Sequence, residues 1–258
     1  MTSTAAKADL LRSLHVPGDP LVVTNVWDAA SARAVASVPG VRALATASHA
    51  ISEARGVSDG EGLTVDEALD AARIITGSVD LPVSVDFERG YASDAAGVQA
   101  NARRLADAGA AGLNLEDSLP GDAMRPLDEQ LDRIRAVRAG GDAAGVPLSI
   151  NARVDSLRRG ETFEQAVERA NAYLSAGGDS VFVIGLGTEE LVRRAVAEIG
   201  GPVAVIAWHG YLPIAQLADL GIARISVGPG AQALAMTHLA RAAATLTARG
   251  DYPAELSF

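Results

Sequence analysis

Residues Asp86 and Glu88 close a short apolar run, Leu81–Val85, rich in β-branched residues. Side chains at i and i+2 share one face of a strand, so the run predicts both carboxylates on one side. Asn114 and Glu116 repeat this spacing, and Asn151, Arg153 and Asp155 repeat it again inside an apolar segment. Oxygen donors of this kind suit a hard divalent cation such as Mg²⁺. An arginine beside them is expensive to bury unpaired. Either the carboxylates or a bound anion would satisfy it. Further polar or aromatic residues follow other apolar runs: Asn25 and Trp27, Ser48-His49-Ala50, and His209. Each has a purely structural alternative, a hydrogen-bonded residue at a strand end. For Asp28 that alternative is helix capping.

Eight strand–helix units position these residues. A short amphipathic helix over 3–14 comes first. Strands are expected at Leu21–Trp27, Val41–Ser48, Leu81–Glu88, Ala111–Asp117, Pro147–Asp155, Ser180–Leu186, Pro202–Trp208 and Ala223–Gly228. A polar, glycine-containing loop spans 49–63, and Thr64 with Glu67 forms a capping box for the helix after it. Other helices are expected from Asp28 to about Val38, over 94–108, from about Pro126 to Arg138, and over 163–176, 188–199, 213–220 and 231–248. Short, continuously apolar strands alternating with helices indicate a parallel sheet covered on both sides. Eight units in one chain indicate an α/β fold of the (β/α)₈ TIM-barrel type, with the short helix before it and all 258 residues in one domain. An open doubly wound sheet would place a glycine-rich phosphate loop after its first strand, and Asn25-Val-Trp-Asp-Ala-Ala is not one. In the barrel, the strand-end residues meet at one mouth.

Composition excludes several classes. The net charge of −10 disfavours nucleic acid and anionic membranes as partners. With no cysteine, disulfides, thiolate metal sites and a cysteine nucleophile are excluded. No apolar run reaches the roughly 18 residues of a membrane span, and the N-terminus lacks a signal-peptide core. The expectation is a cytoplasmic protein.

Five segments together resemble the phosphoenolpyruvate mutase/isocitrate lyase family over about residues 20–230. They are Asn25-Val-Trp-Asp-Ala-Ala-Ser-Ala, Ser84-Val-Asp-Phe-Glu-Arg-Gly-Tyr, Gly112-Leu-Asn-Leu-Glu-Asp-Ser, Asn151-Ala-Arg-Val-Asp and Arg224-Ile-Ser-Val-Gly-Pro. The resemblance implies an enzyme that binds a small anionic 2-oxo acid on Mg²⁺, with Mn²⁺ as the alternative ion. It would make or break a C–C or P–C bond beside the carbonyl. It further implies Asp86 as direct metal ligand and Glu88, where the family usually has aspartate, as holder of metal-bound water. Glu116 and Asp59 match acids of the layer behind. Arg153 matches the arginine that grips the substrate's carboxylate or phosphonate. Ser48, His49 and Ala50 match a turn whose N–H groups hold the other anionic end. Trp27 and Asn151 complete the candidate substrate contacts. Family members pair as helix-swapped dimers and tetramers, and helix 231–248 could serve that way or pack within its own barrel.

The departures bear on the reaction. The lyases carry Lys-Arg-Cys-Gly-His on a loop after the fourth strand. Counting from Glu116, the lysine, cysteine and histidine places fall on Asp122, Met124 and Pro126. Methionine cannot donate a proton, so the usual lyase acid–base group is missing. The asparagine expected there in phosphonate mutases is missing too, and Ile184-Gly-Leu-Gly replaces a usual histidine or lysine. His209 could restore proton transfer, or it could be structural. Three readings follow: a Mg²⁺-dependent lyase or decarboxylase acting on a 2-oxo acid such as oxaloacetate, a phosphonopyruvate-type mutase or hydrolase, or a metal- and ligand-binding pseudoenzyme.

Overall fold

The first predicted strand breaks in two, and the break closes the barrel. In the computed structural model, which describes residues 2–121 and 123–251, β1 (Leu21–Val23) and β2 (Asn25–Val26) are separated at Thr24. β1 pairs with β9 (Arg224–Ser226) and β2 pairs with β3 (Leu44–Thr46). Each half of one extended segment thus serves a different neighbour. Between them run β4 (Val83–Asp86), β5 (Gly112–Glu116), β6 (Ser149–Val154), β7 (Ser180–Val183) and β8 (Val203–Ile206). Among the described residues these nine parallel strands form one nearly closed sheet, a TIM-barrel-like α/β fold. The strands are buried almost throughout, as their apolar runs require.

Among the described residues ten α-helices accompany the strands: α1 (Thr4–Ser13), α2 (Ala29–Ala36), α3 (Ser48–Ala54), α4 (Val65–Gly77), α5 (Ala95–Asp107), α6 (Leu127–Ala143), α7 (Phe163–Ser175), α8 (Glu189–Glu198), α9 (Ile214–Asp219) and α10 (Gly230–Thr247). The caps read from sequence are present. Asp28 accepts from Ser31 N–H, and Thr64 and Glu67 form a reciprocal box. α1 lies under the N-terminal strand ends, where it buries Ala8 and Leu11 and Arg12 Nε donates to Asp179 at 2.8 Å.

Two features differ from expectation, and a third concerns the last helix. α3 occupies the start of the expected 49–63 loop, because Ala50, Ile51 and Ser52 are buried against the barrel and burial overrides weak local propensity. α6 continues past Arg138 through Gly140 and Gly141. A Cβ on Gly140 would lie 2.4 Å from Gln99 O of α5, so the glycine is needed for close helix contact. Finally, of the two roles left open for the last helix, packing on its own barrel is confined to the start of α10, where Gln232 Nε2 donates to Ala50 O. Only Gln232 is buried, and Leu234 and Leu239 are 61% and 60% exposed. Among the described residues no helix is long and apolar enough to cross a membrane.

Candidate active site

A cavity of about 530 Å³ opens at the C-terminal ends of the strands. Each strand end from β2 to β9 contributes a lining residue, among them Asn25, Ser48, Asp86, Glu116, Arg153, Phe182, Ile206 and Ser226. Of the predicted site residues, Ser48, His49, Asp59, Asp86, Glu88, Glu116 and Arg153 line it. Trp27, Ala50, Asn151 and His209 do not. Trp27 packs on the core, with its N–H given to Ser31. Ala50 is buried, and its carbonyl accepts from Gln232 Nε2 at 2.9 Å. Asn151 lies inside the barrel between Asn114 and Ser180, hydrogen-bonded to both. His209 is exposed beyond the end of β8. The parity of Asn151 and the position of His209 after a strand were read correctly; their depth and direction were not visible in sequence.

The Asp86/Glu88 pair is brought together by a turn, in place of the expected strand pleat. β4 ends at Asp86, and Glu88 has φ +47°, in the left-handed region. Tyr91 and Glu61 share that conformation, at φ +53° and +63°. The three are bonded to one another. Tyr91 OH and Glu61 N–H donate to the two Glu88 oxygens, and Tyr91 N–H donates to Glu61. Left-handed non-glycine residues cost about 1–3 kcal/mol each and persist only where surroundings enforce them. Two buried side chains enforce them from outside. Asn101 Nδ2 donates to Gly90 O and Tyr91 O, both at 3.0 Å, and Arg133 Nη2 donates to Arg89 O and Ala92 O. Neither residue is visible as functional in sequence, since both sit on helices.

Asp86 Oδ2 accepts from Ser48 N–H at 3.1 Å and Ser48 Oγ at 2.8 Å. The Ser48 N–H, expected to face a substrate anion, therefore serves the acid. Burial pushes the Glu88 carboxyl up to about 7 against the hydrogen bond from Tyr91, and the charge on Asp86 adds to the rise. Burial also pushes Glu116 up to about 7, outweighing Arg153, with Asp155, Asp86 and Glu88 adding to it. Arg153 donates from Nη1 to Glu116 at 2.9 Å and from Nε to Asp155 at 2.9 Å. Burial disfavours its charge, but Glu116 and Asp155 hold its pKa above the ordinary value. Behind this pair, Asp117 is pushed up to about 6 by burial while Tyr173 OH and Asp155 N–H donate to it. His49 and Asp59 face each other across 3.6 Å at the rim.

Among the described residues, no three His, Cys, Asp or Glu side chains form a direct metal cage. The donor set instead fits an ion that keeps most of its waters and takes one direct carboxylate, the usual habit of Mg²⁺. Both donors to Asp86, the Ser48 N–H and Ser48 Oγ, go to Oδ2, and among the described residues no hydrogen bond is made to Oδ1. Glu88 and Glu116, crowded with Asp86 in one cavity, leave negative charge that a divalent cation would offset.

Several lining residues escaped the strand-end reading. Arg89 donates to Gly60 O at 2.7 Å and lies 3.6 Å from Glu116. Arg158 and Arg159 come from a 3₁₀ turn, Ser156–Arg159, after β6. Extending the strand-end survey five residues into each loop would have found them. The loop after β5 is tied by a Ser118–Met124 bridge and a Leu119 N–H to Ala123 O bond of 2.9 Å, so it has more order than its sequence suggests. Met124 is half-buried and does not line the cavity, and Asp122 lies outside the described residues.

Comparison with known proteins identifies the family. The family model described as phosphoenolpyruvate phosphomutase matches residues 11–247. The 2-methylisocitrate lyase of Salmonella typhimurium is 30% identical over 236 residues, covering 83% of this chain and 78% of its own. A provisionally assigned phosphonomutase from Burkholderia cenocepacia J2315 is 39% identical, with a TM-score of 0.88 over 96% of this chain and 100% of that one. A phosphonopyruvate hydrolase solved with oxalate and Mg²⁺ shares the fold at a TM-score of 0.85 and 22% identity, over 95% of this chain and 88% of that one. The chain thus belongs to the phosphoenolpyruvate mutase/isocitrate lyase family.

Proposed function

We propose that this chain is a Mg²⁺-dependent carbon–carbon lyase or decarboxylase acting on a small 2-oxo acid through an enolate, with Mn²⁺ as an alternative ion. The observation that carries the reading is the meeting of Asp86, Glu88, Glu116 and Arg153 in one cavity at the barrel mouth. Asp86 would ligate the ion directly, with Glu88, Glu116 and Asp59 reached through its waters. When bound, the ion supplies positive charge for the oxygen that gains electrons as the adjacent bond breaks. Arg153, anchored on Glu116 and Asp155, would present its remaining donors to the substrate's carboxylate. Ser48 orients Asp86. Tyr91 and the Glu61 N–H hold Glu88.

Loss of a carboxyl group from the carbon next to the 2-oxo carbonyl leaves an enolate, which needs charge stabilisation and no acid on the loop. That suits a loop with Met124 in place of a proton donor and a His209 that does not reach the cavity. A P–C bond mutase or hydrolase is the second reading, favoured by the phosphomutase family model and the phosphonomutase-type relative. We further propose a cytoplasmic homodimer, or a tetramer built from it, in which the exposed apolar α10 docks on a second copy. Replacing Leu234 and Leu239 by Asp should yield monomers in sedimentation.

A screen of 2-oxo acids and phosphonopyruvate, with and without Mg²⁺, tests the reaction. Release of CO₂ or cleavage of a C–C bond supports the first reading, and phosphate release or P–C rearrangement the second. Thermal stabilisation by Mg²⁺ and oxalate without turnover of any substrate would make the chain a binder.

A further inference from the structure

The proposed decarboxylation needs a substrate with two anionic groups. One is the 2-oxo carboxylate that meets the ion, and the other is the carboxylate that leaves. The cavity offers the second group few places. Asp86, Glu88 and Glu116 repel an anion that the ion does not hold. The β7–β8 side, with Phe182, Ile184, Ile206 and Trp208, has no charge to replace an anion's lost hydration. Arginines remain, and two of them are committed. Arg89 donates to Gly60 O and pairs with Glu61 at 3.2 Å. Arg153 gives Nη1 to Glu116 and Nε to Asp155, which leaves it donors for the carboxylate beside the ion.

Arg158 is different. It lines the same cavity, is exposed, and has no hydrogen-bond or ion-pair partner among the described residues. Its backbone is nevertheless fixed. Arg159 N–H donates to Asp155 O at 3.0 Å, and Glu161 N–H donates to Ser156 O at 2.9 Å. Ser156 Oγ donates to Glu161 at 2.7 Å, and Arg169 Nε pairs with the same carboxylate at 3.4 Å. Leu157 packs against the segment after β7, where Gly185 (φ +103°) makes room: a Cβ there would lie 3.0 Å from Leu157 Cβ. Asp155 thus anchors Arg153 through its carboxylate and the Arg158 turn through its carbonyl. One segment sets both cations, Arg153 at the strand end and Arg158 on the turn beyond it.

We infer that Arg158 binds the carboxylate that leaves, and so selects 2-oxo acids with a second anionic group over those with an uncharged far end. This rests on the reading of the site as a Mg²⁺-dependent 2-oxo-acid site and adds the residue that reads the substrate's far end. In the reaction the bond to the leaving carboxyl breaks, its electron pair forms the enolate, and the carboxyl departs as neutral CO₂. The charge that Arg158 holds disappears in that step, so the arginine contributes to binding and selection and not to the rate of bond breaking. The product, a 2-oxo acid with one carboxylate, lacks the contact and exchanges readily for new substrate.

Titration calorimetry on the full chain in Mg²⁺ tests this, with oxalate, 2-oxoglutarate and 2-oxopentanoate as probes. The last two have equal chain length and differ in a terminal carboxylate against a methyl group. Neither carries a carboxyl on the carbon next to the carbonyl, so neither undergoes the proposed decarboxylation during the titration. 2-Oxoglutarate should bind more tightly than 2-oxopentanoate. In Arg158→Gln the ratio of their affinities should fall about tenfold, the low end for a hydrogen bond between charged groups. Arg158→Lys, which keeps the charge, should retain part of the ratio. Oxalate affinity should stay unchanged in both variants, which reports an intact fold and ion site. A ratio that Arg158→Gln leaves unchanged overturns the inference, since another group then reads the carboxylate. So does 2-oxopentanoate binding as tightly as 2-oxoglutarate in the wild-type chain, while oxalate binding leaves the 2-oxo-acid site standing. Parallel loss of oxalate and 2-oxoglutarate affinity in Arg158→Gln would make the residue a general support of the site and overturns it too. If neither oxalate nor either 2-oxo acid binds, the reading of the site fails and the inference fails with it.

Discussion

The β4–β6 side of the cavity and its β7–β8 side are made from the same unit, a parallel strand ending at the barrel mouth. One side carries Asp86, Glu88, Asn114, Glu116 and Arg153, and the other Phe182, Ile184, Ile206 and Trp208. The polar side is over-determined. Asp86 is held by Ser48, Glu88 by Tyr91 and Glu61, and Arg153 by Glu116 and Asp155. The apolar side has packing alone. The difference teaches that buried charges require dedicated partners, whereas an apolar wall requires only shape. Variants on the polar side should therefore cause large losses of one function, and variants remote from it small ones.

The largest effect is expected at Asp86. Asp86→Ala should abolish Mg²⁺ binding, and Asp86→Asn should be nearly as damaging, because a neutral amide is a poor ligand for a hard cation. Calorimetry with unchanged Mg²⁺ affinity would sink the assignment and, with it, the contrast between the two walls.

Arg153→Lys comes next. Lysine cannot keep contacts with Glu116, Asp155 and a substrate carboxylate at once. Substrate binding should weaken by about 2–3 kcal/mol, the scale of a charged hydrogen bond, with Mg²⁺ affinity changing far less. If metal affinity and melting temperature fall in step with activity, Arg153 is a structural partner of the acids. Full substrate affinity in the variant would remove it from the site.

A smaller loss is expected from Asn101→Ala, which strips the two bonds that hold the Gly90 and Tyr91 carbonyls. Stability should drop by about 1–3 kcal/mol, the cost of unsatisfied buried groups, and Mg²⁺ affinity should fall because Glu88 loses its fixed turn. A destabilised variant with wild-type metal affinity would show that the turn does not need Asn101 to present Glu88.

Met124→Ala should do least. The side chain does not reach the cavity, so turnover should change less than about tenfold, at most about 1.4 kcal/mol in the barrier. A loss of thousands-fold would mean that the loop takes part in the chemistry.

Local signals account for what was legible in advance. Alternating apolar runs and helical periods indicated eight units, and Asp28, Thr64 and Glu67 capped where expected. The Asn114/Glu116 spacing placed both residues at the cavity because β5 is regular through Glu116. The same rule misjudged the route at β4, where Glu88 reaches the cavity through a left-handed turn. No local pattern announces that turn, since it is enforced by Asn101 and Arg133, distant in sequence.

By itself, the sequence determined the β/α repeat, the absence of thiol chemistry and the acids and arginine available at the strand ends, all properties of residue type and short-range spacing. Only the tertiary structure decided that β1 and β2 split to close the barrel, that Trp27, Ala50, Asn151 and His209 stay out of the cavity, and that Arg89 and Trp208 enter it. Depth and direction at a strand end depend on which distant groups satisfy each side chain and how closely the helices pack. Those are long-range contacts, and one-dimensional spacing carries no record of them.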